Sequence, residues 1–371
     1  MEEKLIAARV VPPGRVISRE LEARDWTQQD LAEIMGRPPQ VISEIIRGKK
    51  QITPETAIQL AEAFGTSSEL WLNLETNYQL HLARQQTGSA EIARKSQLFS
   101  LAPVSEMVKR SWIPRADSID DLEEEVCDFM GISSPQDKPA LAANFRCVKE
   151  RGPEINAQVA WVKRVEHLIA AQGVGDFVRA RLAESMPELL SLSVRPEDLG
   201  RIPAMLLSLG VHFIIVPHLD RTYLDGAAFY LDHHPVVALT LRYDRTDAFW
   251  FTLTHEIAHI AAGHTGVYLD DFECVAEDDA EREANTLARD WLIDRQHFER
   301  FVRDTAPYFS KAAIERFAAE QGRHPGIVLG RLQYEKRVDF SHLRGLLVKV
   351  SPYLQEWIDD PKIKRFEVSY R

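Results

Sequence analysis

The sequence has few cysteines, and their spacing excludes two kinds of stabilising cross-link. Cys127, Cys147 and Cys274 stand far apart and form no C-x-x-C pair. Neither a disulfide framework nor a thiolate zinc site is therefore expected. We interpret the three side chains as buried thiols in a protein of a reducing cytoplasm.

The sequence also lacks an apolar run that could cross a membrane. The longest apolar stretch lies between Pro203 and Pro217 and is interrupted by His212, so it is too short for a membrane span. The N-terminus begins with acidic residues and has no apolar core of the kind found in signal peptides. We therefore expect a cytoplasmic protein with no membrane partner.

An excess of positive charge is absent as well. The 45 lysines and arginines are outnumbered by 56 acidic residues, which gives a net charge of −11. The whole chain therefore cannot act as a polycation that coats nucleic acid, and any DNA contact has to come from a local basic patch.

The patterning along the 371 residues predicts a multi-domain chain of three parts. Residues 1–84 predict an all-α helix-turn-helix bundle, and residues 85–200 a helical linker or spacer lobe. Residues 201–371 predict an α+β domain, because β-branched and aromatic runs between 211 and 243 indicate a small antiparallel sheet and helical patterning follows them. The polar stretch 84–97 marks the first boundary.

The N-terminal part meets the requirements of a helix-turn-helix. This motif needs a small residue where two helices cross, a glycine in the turn and inward apolar residues on the second helix. Thr27 and Asp30 are spaced to form a capping box at the start of the first helix. The residues that meet the other requirements are Ala32, Gly36, Ile42 and Ile45.

The second helix of this motif carries residue types that bind DNA. Gln40 and Ser43, near its N-terminus, are suited to read base edges in the major groove. Basic residues surround the same helix and are candidates for phosphate contacts. These basic residues are Arg37, Arg47, Lys49 and Lys50.

Residues 13–82, from PGRVISRELEARDW to NLETNYQL, resemble the helix-turn-helix domain of HigA/VapI-type antitoxins of the XRE class. The resemblance implies sequence-specific binding to a double-stranded DNA operator as a homodimer. It also implies autorepression of a toxin–antitoxin operon.

The segment HEIAH predicts a metal site. His255 and His259 lie one helical turn apart, so that both imidazoles can bind one Zn²⁺, and Glu256 lies beside them to activate water. The third ligand is expected from the helix DDAEREANTLARDWL. On that helix Glu281 lies about 60° from the centre of the apolar stripe and Glu283 about 100° away on the other side. Glu281 is therefore the better candidate, with Glu283 as the alternative.

Two polar residues near these ligands have open roles. Asn285, one turn after Glu281, could orient a ligand histidine through its second ring nitrogen, or it could be a packing residue. His264 follows HEIAH at a spacing that does not suit a third histidine ligand. It could donate a hydrogen bond to substrate, or it could cap the helix C-terminus.

Residues 209–337 resemble the ImmA/IrrE family of zinc metallopeptidases. Leu287 and the segment DWLID differ from the family pattern, which affects packing or the pocket rim. The resemblance implies a zincin-like, gluzincin-type fold in which Glu256 moves a proton from water to the leaving amine, and the strand PVVALTLR pairs with an extended substrate. The matching positions are His255, Glu256, His259, Glu281, Ala284, Asn285 and Ala288.

Together these patterns predict a DNA-binding regulator or antitoxin with a fused zinc metalloendopeptidase domain that cleaves a regulatory protein, such as a toxin or a repressor. One alternative is a non-enzymatic antitoxin whose peptidase-like domain binds a toxin. Another is a repressor that senses metal without hydrolysis, in which case Glu256 is dispensable.

Overall fold

The chain divides into two compact units, Met1–Arg94 and Lys95–Arg371. The computed structural model describes residues 10–86, 89–137, 139, 152–220, 222–264, 268–270 and 279–359. No helix in this described part is long and apolar enough to cross a membrane. Cys127 is buried, as expected, whereas Cys147 and Cys274 lie outside the described residues.

The first unit is a bundle of short helices, and local signals set their ends. Thr27 and Asp30 form the predicted capping box, and the Thr53 side chain accepts a hydrogen bond from the backbone N–H of Thr56. The helices of this unit are α1 (Pro13–Glu22), α2 (Gln28–Ile34), α3 (Pro39–Ile46), α4 (Pro54–Phe64) and α5 (Ser68–Gln86).

The core of this bundle confirms the predicted helix-turn-helix. Ala32, Ile42 and Ile45 are buried, and Gly36 has φ of +61° in the turn between α2 and α3. A left-handed conformation of this kind favours glycine because a side chain would clash with the backbone. The fold of residues 28–46 is therefore the arrangement in which α3 is presented as a recognition helix.

The second unit combines helices with a sheet. Helix α6 (Ser89–Leu101) continues into this unit from the first. The helices before the sheet are α7 (Val104–Lys109), α8 (Ile119–Met130), α9 (Gly152–Ile169), α10 (Arg179–Ser191) and α11 (Ile202–Ser208). The strands are β1 (His212–Ile215), β2 (Gly226–Leu231), β3 (His234–Leu239) and β4 (Tyr268–Asp270). The remaining helices are α12 (Thr246–Ala262), α13 (Asp279–Leu292), α14 (Arg295–Thr305), α15 (Lys311–Gln321) and α16 (Pro325–Tyr334).

The sheet is mixed, and the prediction of a purely antiparallel sheet is wrong for one strand. The strand order is β1-β3-β2-β4. β2 pairs antiparallel with both β3 and β4, as predicted, whereas β1 pairs parallel with β3. After β1 a long connection leads to β2, which is not a neighbour of β1 in the sheet. β3 then runs antiparallel to β2 and lies between β1 and β2. β1 and β3 therefore run in the same direction.

Both faces of this sheet are covered by helices. Phe213, Val237 and Leu239 belong to the same apolar core as α12, and Ile214 and Ala238 belong to a second core with α8 and α9. Successive side chains of a strand point to opposite faces, so a strand buried on both faces reads as a continuous apolar run.

The helices α7, α8 and α9 are therefore part of the second unit rather than of a separate spacer lobe. They bury one side of the sheet, and a buried ion pair joins α9 to the C-terminal segment. The Arg164 guanidinium donates to both carboxylate oxygens of Asp359, at 2.9 and 2.8 Å, and the indole N–H of Trp112 donates to the same carboxylate at 3.0 Å.

α12 lies between the sheet and the C-terminal helices and requires close packing against α16. A Cβ atom on Gly330 would lie only 2.4 Å from Cβ of Asp247, so glycine is the residue that lets the two helices approach. This contact gives the C-terminal segment around Gly330 a structural role.

We expect Gly330→Ala to lower the free energy of unfolding by about 1–3 kcal/mol, because the added methyl group overpacks the contact with Asp247. Urea denaturation measures this change. Gly345→Ala is the control, since a Cβ there meets nothing within 4 Å, and it should change stability by less than about 0.5 kcal/mol. Equal effects of both substitutions would contradict the assignment.

Candidate metal centre and DNA-contacting helix

The HEIAH segment lies in the buried middle of α12. Apolar residues such as Leu253 and Ile257 bury the helix in the core, and Gly263 ends it in a left-handed conformation. His255 and His259 are buried on this helix. The two histidines are one turn apart and share one face, because an α-helix repeats every 3.6 residues.

Glu281 of α13 meets the two histidines. Nε2 of His255 lies 3.3 Å from Oε2 of Glu281, and Nε2 of His259 lies 3.5 Å from Oε1 of the same carboxylate. The two Nε2 atoms are 3.0 Å apart. The structure thus brings Glu281, rather than Glu283, to the histidines.

The donor set fits zinc. One ligand atom from each of His255, His259 and Glu281 lies within 4.8 Å of the others, and three such ligands leave a fourth tetrahedral position open. Two imidazoles with one carboxylate are a known ligand set of catalytic zinc. The residues could therefore hold Zn²⁺, and their role as ligands stays a prediction.

The charge states of these groups suit a cation. Burial alone would raise the pKa of the Glu281 carboxyl, but hydrogen bonds from His255 and His259 more than offset it and lower the pKa to about 2. Burial lowers the pKa of His259, and the contact with Glu281 only partly opposes this effect. Glu281 is thus anionic and His259 neutral at neutral pH, which are the forms that bind metal.

His264 contacts His259, a role that differs from both roles expected for it from the sequence, substrate donor or helix cap. Its Nδ1 lies 3.0 Å from Nδ1 of His259, and its Nε2 lies 3.3 Å from Oε2 of Glu283. If Nε2 of His259 binds metal, its proton is on Nδ1 and is donated to His264, which in turn donates to Glu283. The turn at Gly263 brings His264 back over the last turn of α12.

Asn285 is buried on α13, the helix that carries Glu281. Its predicted role in orienting a histidine stays a prediction. The contact made by His264 gives His259 an orienting partner that does not depend on Asn285.

Glu256 is fully buried and faces the sheet. A Cβ atom on Gly226, the first residue of β2, would lie 2.6 Å from Oε1 of Glu256 and 2.8 Å from Cγ2 of Thr252. Only glycine leaves room for the carboxylate here. Sequence analysis did not identify Gly226, because a single glycine at the start of a strand carries no signal for a contact 30 residues away.

The predicted DNA-contacting residues lie on and around α3. Gln40 is exposed and its side chain donates to Glu44 at 3.0 Å, while Ser43 is half-buried. Arg37 is also half-buried, and its Nε donates to Oε1 of Gln59 at 2.5 Å. The basic residues that are exposed are Arg47, Lys49 and Lys50.

Comparison with known families separates the two functional parts of the chain. Residues 17–71 match the family model described as helix-turn-helix. Residues 218–320 match the model described as the IrrE N-terminal-like domain, and this range contains the residues of the candidate metal centre.

Curated relatives match the N-terminal part. Virulence-associated protein I of Dichelobacter nodosus is 34% identical over 83 residues, which are 22% of this chain and 77% of the relative. An uncharacterized HTH-type transcriptional regulator of Escherichia coli K12, YddM, is 30% identical over 82 residues, which are 22% of this chain and 87% of the relative.

A solved structure also matches this part. It is an addiction module antidote protein of the HigA family from Coxiella burnetii, 34% identical, with a TM-score of 0.22. The match covers 22% of this chain and 90% of that chain.

We expect His259→Ala and Glu281→Ala to be purified with little zinc, because each loses one of three ligands, while Glu283→Ala keeps it. His264→Ala should bind zinc about 10–100-fold more weakly, since it loses the hydrogen bond that orients His259. Elemental analysis and competition with a chelator measure these changes. Loss of zinc from Glu283→Ala with retention by Glu281→Ala would show that Glu283 is the ligand.

Proposed function

Because the chain belongs to the helix-turn-helix family of transcriptional regulators and carries an IrrE N-terminal-like domain, we propose that it is a cytoplasmic regulator or antitoxin with protease activity. In this proposal the first unit binds an operator and the second is a zinc metalloendopeptidase that cleaves a regulatory protein. The observation that carries the peptidase part is the complete burial of Glu256 on α12, next in sequence to His255 of the group His255, His259 and Glu281.

Glu256 is the residue that distinguishes hydrolysis from structural metal binding. A structural zinc site is closed by four protein ligands and has no need of a further carboxylate. Burying an acidic side chain is costly, because charge is stabilised far better by water than by a protein interior. A fully buried Glu256, next in sequence to His255, is explained by a chemical role.

The residues of the site have separate tasks in peptide hydrolysis. Zinc, when bound, would polarise the scissile carbonyl and make water more acidic. The Glu256 carboxylate accepts one proton from the attacking water and delivers it to the nitrogen of the departing amine, while the C–N bond breaks. Glu281 supplies the negative charge of the ligand group, and His264 holds His259 in the required tautomer.

The edge of the sheet offers a place for an extended substrate, but not at the strand predicted from the sequence. β3, which contains most of PVVALTLR, lies inside the sheet between β1 and β2, so its backbone cannot pair with a peptide, and that prediction is wrong. β4 is an edge strand that pairs with β2 in the described part of the chain. Its Asp270 is in register with Gly226, which touches Glu256.

The proposal of DNA binding depends on residues of α3 and of the segment that follows it. Gln40 is exposed near the start of this helix, and the exposed basic residues Arg47, Lys49 and Lys50 follow it. This arrangement supports base contacts by Gln40 and Ser43 with phosphate contacts around them. We propose that a homodimer binds a double-stranded operator, and that cleavage by the second unit changes regulation.

We expect Gln40→Ala to relax sequence preference and to cost about 1–3 kcal/mol on the preferred duplex, because a base-edge contact is lost. Lys49→Ala should weaken all sequences alike and reduce the salt dependence, since it removes a phosphate contact. Binding to a duplex selected from a random pool, and to scrambled duplexes, measures both effects. Unchanged discrimination by Gln40→Ala would refute the base contact.

We expect Glu256→Gln to retain zinc, fold and DNA binding but to lose cleavage, because an amide cannot accept the proton. The candidate substrates are a toxin that this protein binds, a separately encoded repressor and the protein's own N-terminal unit, each incubated with and without chelator. Glu320→Gln, at an exposed position of α15, is the control and should cleave like wild type.

Chelator-sensitive cleavage by wild type that is absent from Glu256→Gln would support the peptidase. If zinc-loaded wild type cuts none of these proteins, the proposal fails and the alternatives gain support. A non-enzymatic antitoxin would then bind the toxin equally well with Glu256→Gln. A metal-sensing repressor would show zinc-dependent DNA affinity that the same variant retains.

A further inference from the structure

A second concave site lies in the Lys95–Arg371 unit, among α13, α14 and α16. It is a cavity of about 490 Å³. Neither His255, His259 nor Glu281 lines it, so it is separate from the candidate metal centre. Five arginines line it, namely Arg289, Arg295, Arg303, Arg331 and Arg337.

The cavity is positive although the whole chain is acidic. Its five arginines face three carboxylates, those of Asp290, Glu299 and Glu335, so that the lining has a net charge of +2, against −11 for the chain. Arg295 pairs with Glu299 at 2.9 Å and Arg331 with Glu335 at 3.3 Å. Arg303 also lies 3.5 Å from the carboxylate of Asp304, which does not line the cavity. Among the described residues Arg289 and Arg337 form no ion pair, so positive charge remains.

Arg289 has unused hydrogen-bonding capacity at this site. Its Nε is buried and has no hydrogen-bond partner among the described residues. The guanidinium lies 5.3 Å from the centre of the Tyr334 ring, which holds it in place. Buried polar groups are normally hydrogen-bonded, so the protein leaves the guanidinium of this lining residue with incomplete hydrogen bonding.

Arg331 provides a rigid wall of the cavity. Its guanidinium lies 4.1 Å from the centre of the Phe298 ring, and it donates to the backbone carbonyl of Ile293 at 2.9 Å. A cation fixed in this way loses little conformational entropy when an anion binds, which favours affinity.

We propose that this cavity binds a small molecule that carries two or more phosphate groups. Arginine presents planar pairs of N–H donors that match phosphate oxygens, and several arginines on one concave surface suit more than one phosphate. The volume lies in the range of small-ligand sites. A duplex backbone lies across a surface and does not enter such a cavity, which favours a small ligand over DNA.

The test is isothermal titration of the full chain with pyrophosphate and with ATP at constant ionic strength. The protein is first treated with a chelator, so that neither anion binds through metal at the His255, His259 and Glu281 group. We expect saturable binding that Arg303→Gln and Arg289→Gln each weaken about tenfold or more, because each removes a charge-assisted contact. Arg303 is 73% exposed, so its substitution should not disturb folding.

Arg300→Gln is the matched control, since Arg300 is exposed on α14 but does not line the cavity. It should bind both anions like wild type. Equal affinity for pyrophosphate and ATP would support recognition of phosphate alone, and tighter binding of ATP would support a nucleotide ligand.

Absence of saturable binding would overturn the proposal, as would unchanged affinity in Arg303→Gln and Arg289→Gln. If the wild type binds neither anion but these two variants bind duplex DNA more weakly, the cavity contacts DNA phosphates and the small-ligand proposal is wrong.

Discussion

The architecture of the second unit depends on a helix that is buried along most of its length and yet carries ionisable residues. From Phe249 to Ile260, α12 is almost entirely buried, and His255, Glu256 and His259 lie within this stretch. Ionisable side chains in such surroundings require partners, because burial without them is costly. The approach of α13, which brings Glu281 to the two histidines, meets this requirement. The contact of Glu281 with the two histidines is thus also a constraint on how α12 and α13 pack.

Small residues make this burial feasible. Gly226 leaves room for the Glu256 carboxylate on the sheet side, and Gly330 lets α16 approach Asp247 on α12. The other face of the sheet is covered by the helical segment that includes α9, which is tied to the C-terminal segment by Arg164 and Asp359. A change in any of these layers would therefore affect the positions of the histidines and of Glu256.

Basic residues are concentrated at two places in a chain that is acidic overall. Exposed basic residues follow α3 in the first unit, and arginines surround the cavity of the second. The candidate metal centre has the opposite preference, since it offers the Glu281 carboxylate and the neutral imidazole of His259 to a cation. Net charge therefore says little about these three sites, each of which depends on groups within a few ångströms.

Features that depend on neighbours along the chain could be predicted from the amino-acid sequence. The capping box at Thr27, the glycine turn at Gly36 and the pairing of His255 with His259 follow from helix geometry, which acts over about four residues. Helix geometry also favoured Glu281 over Glu283 as the third ligand, because Glu281 lies closer to the centre of the apolar stripe of its helix.

Features that join distant segments became visible in the folded structure alone. The parallel pairing of β1 with β3 placed PVVALTLR inside the sheet, and no local pattern encodes strand order. The contact of Gly226 with Glu256 and the grouping of Arg289 with Arg331 likewise join residues that are far apart in sequence. Periodicity shows which face of an element is buried, whereas packing of the whole chain decides which element covers that face.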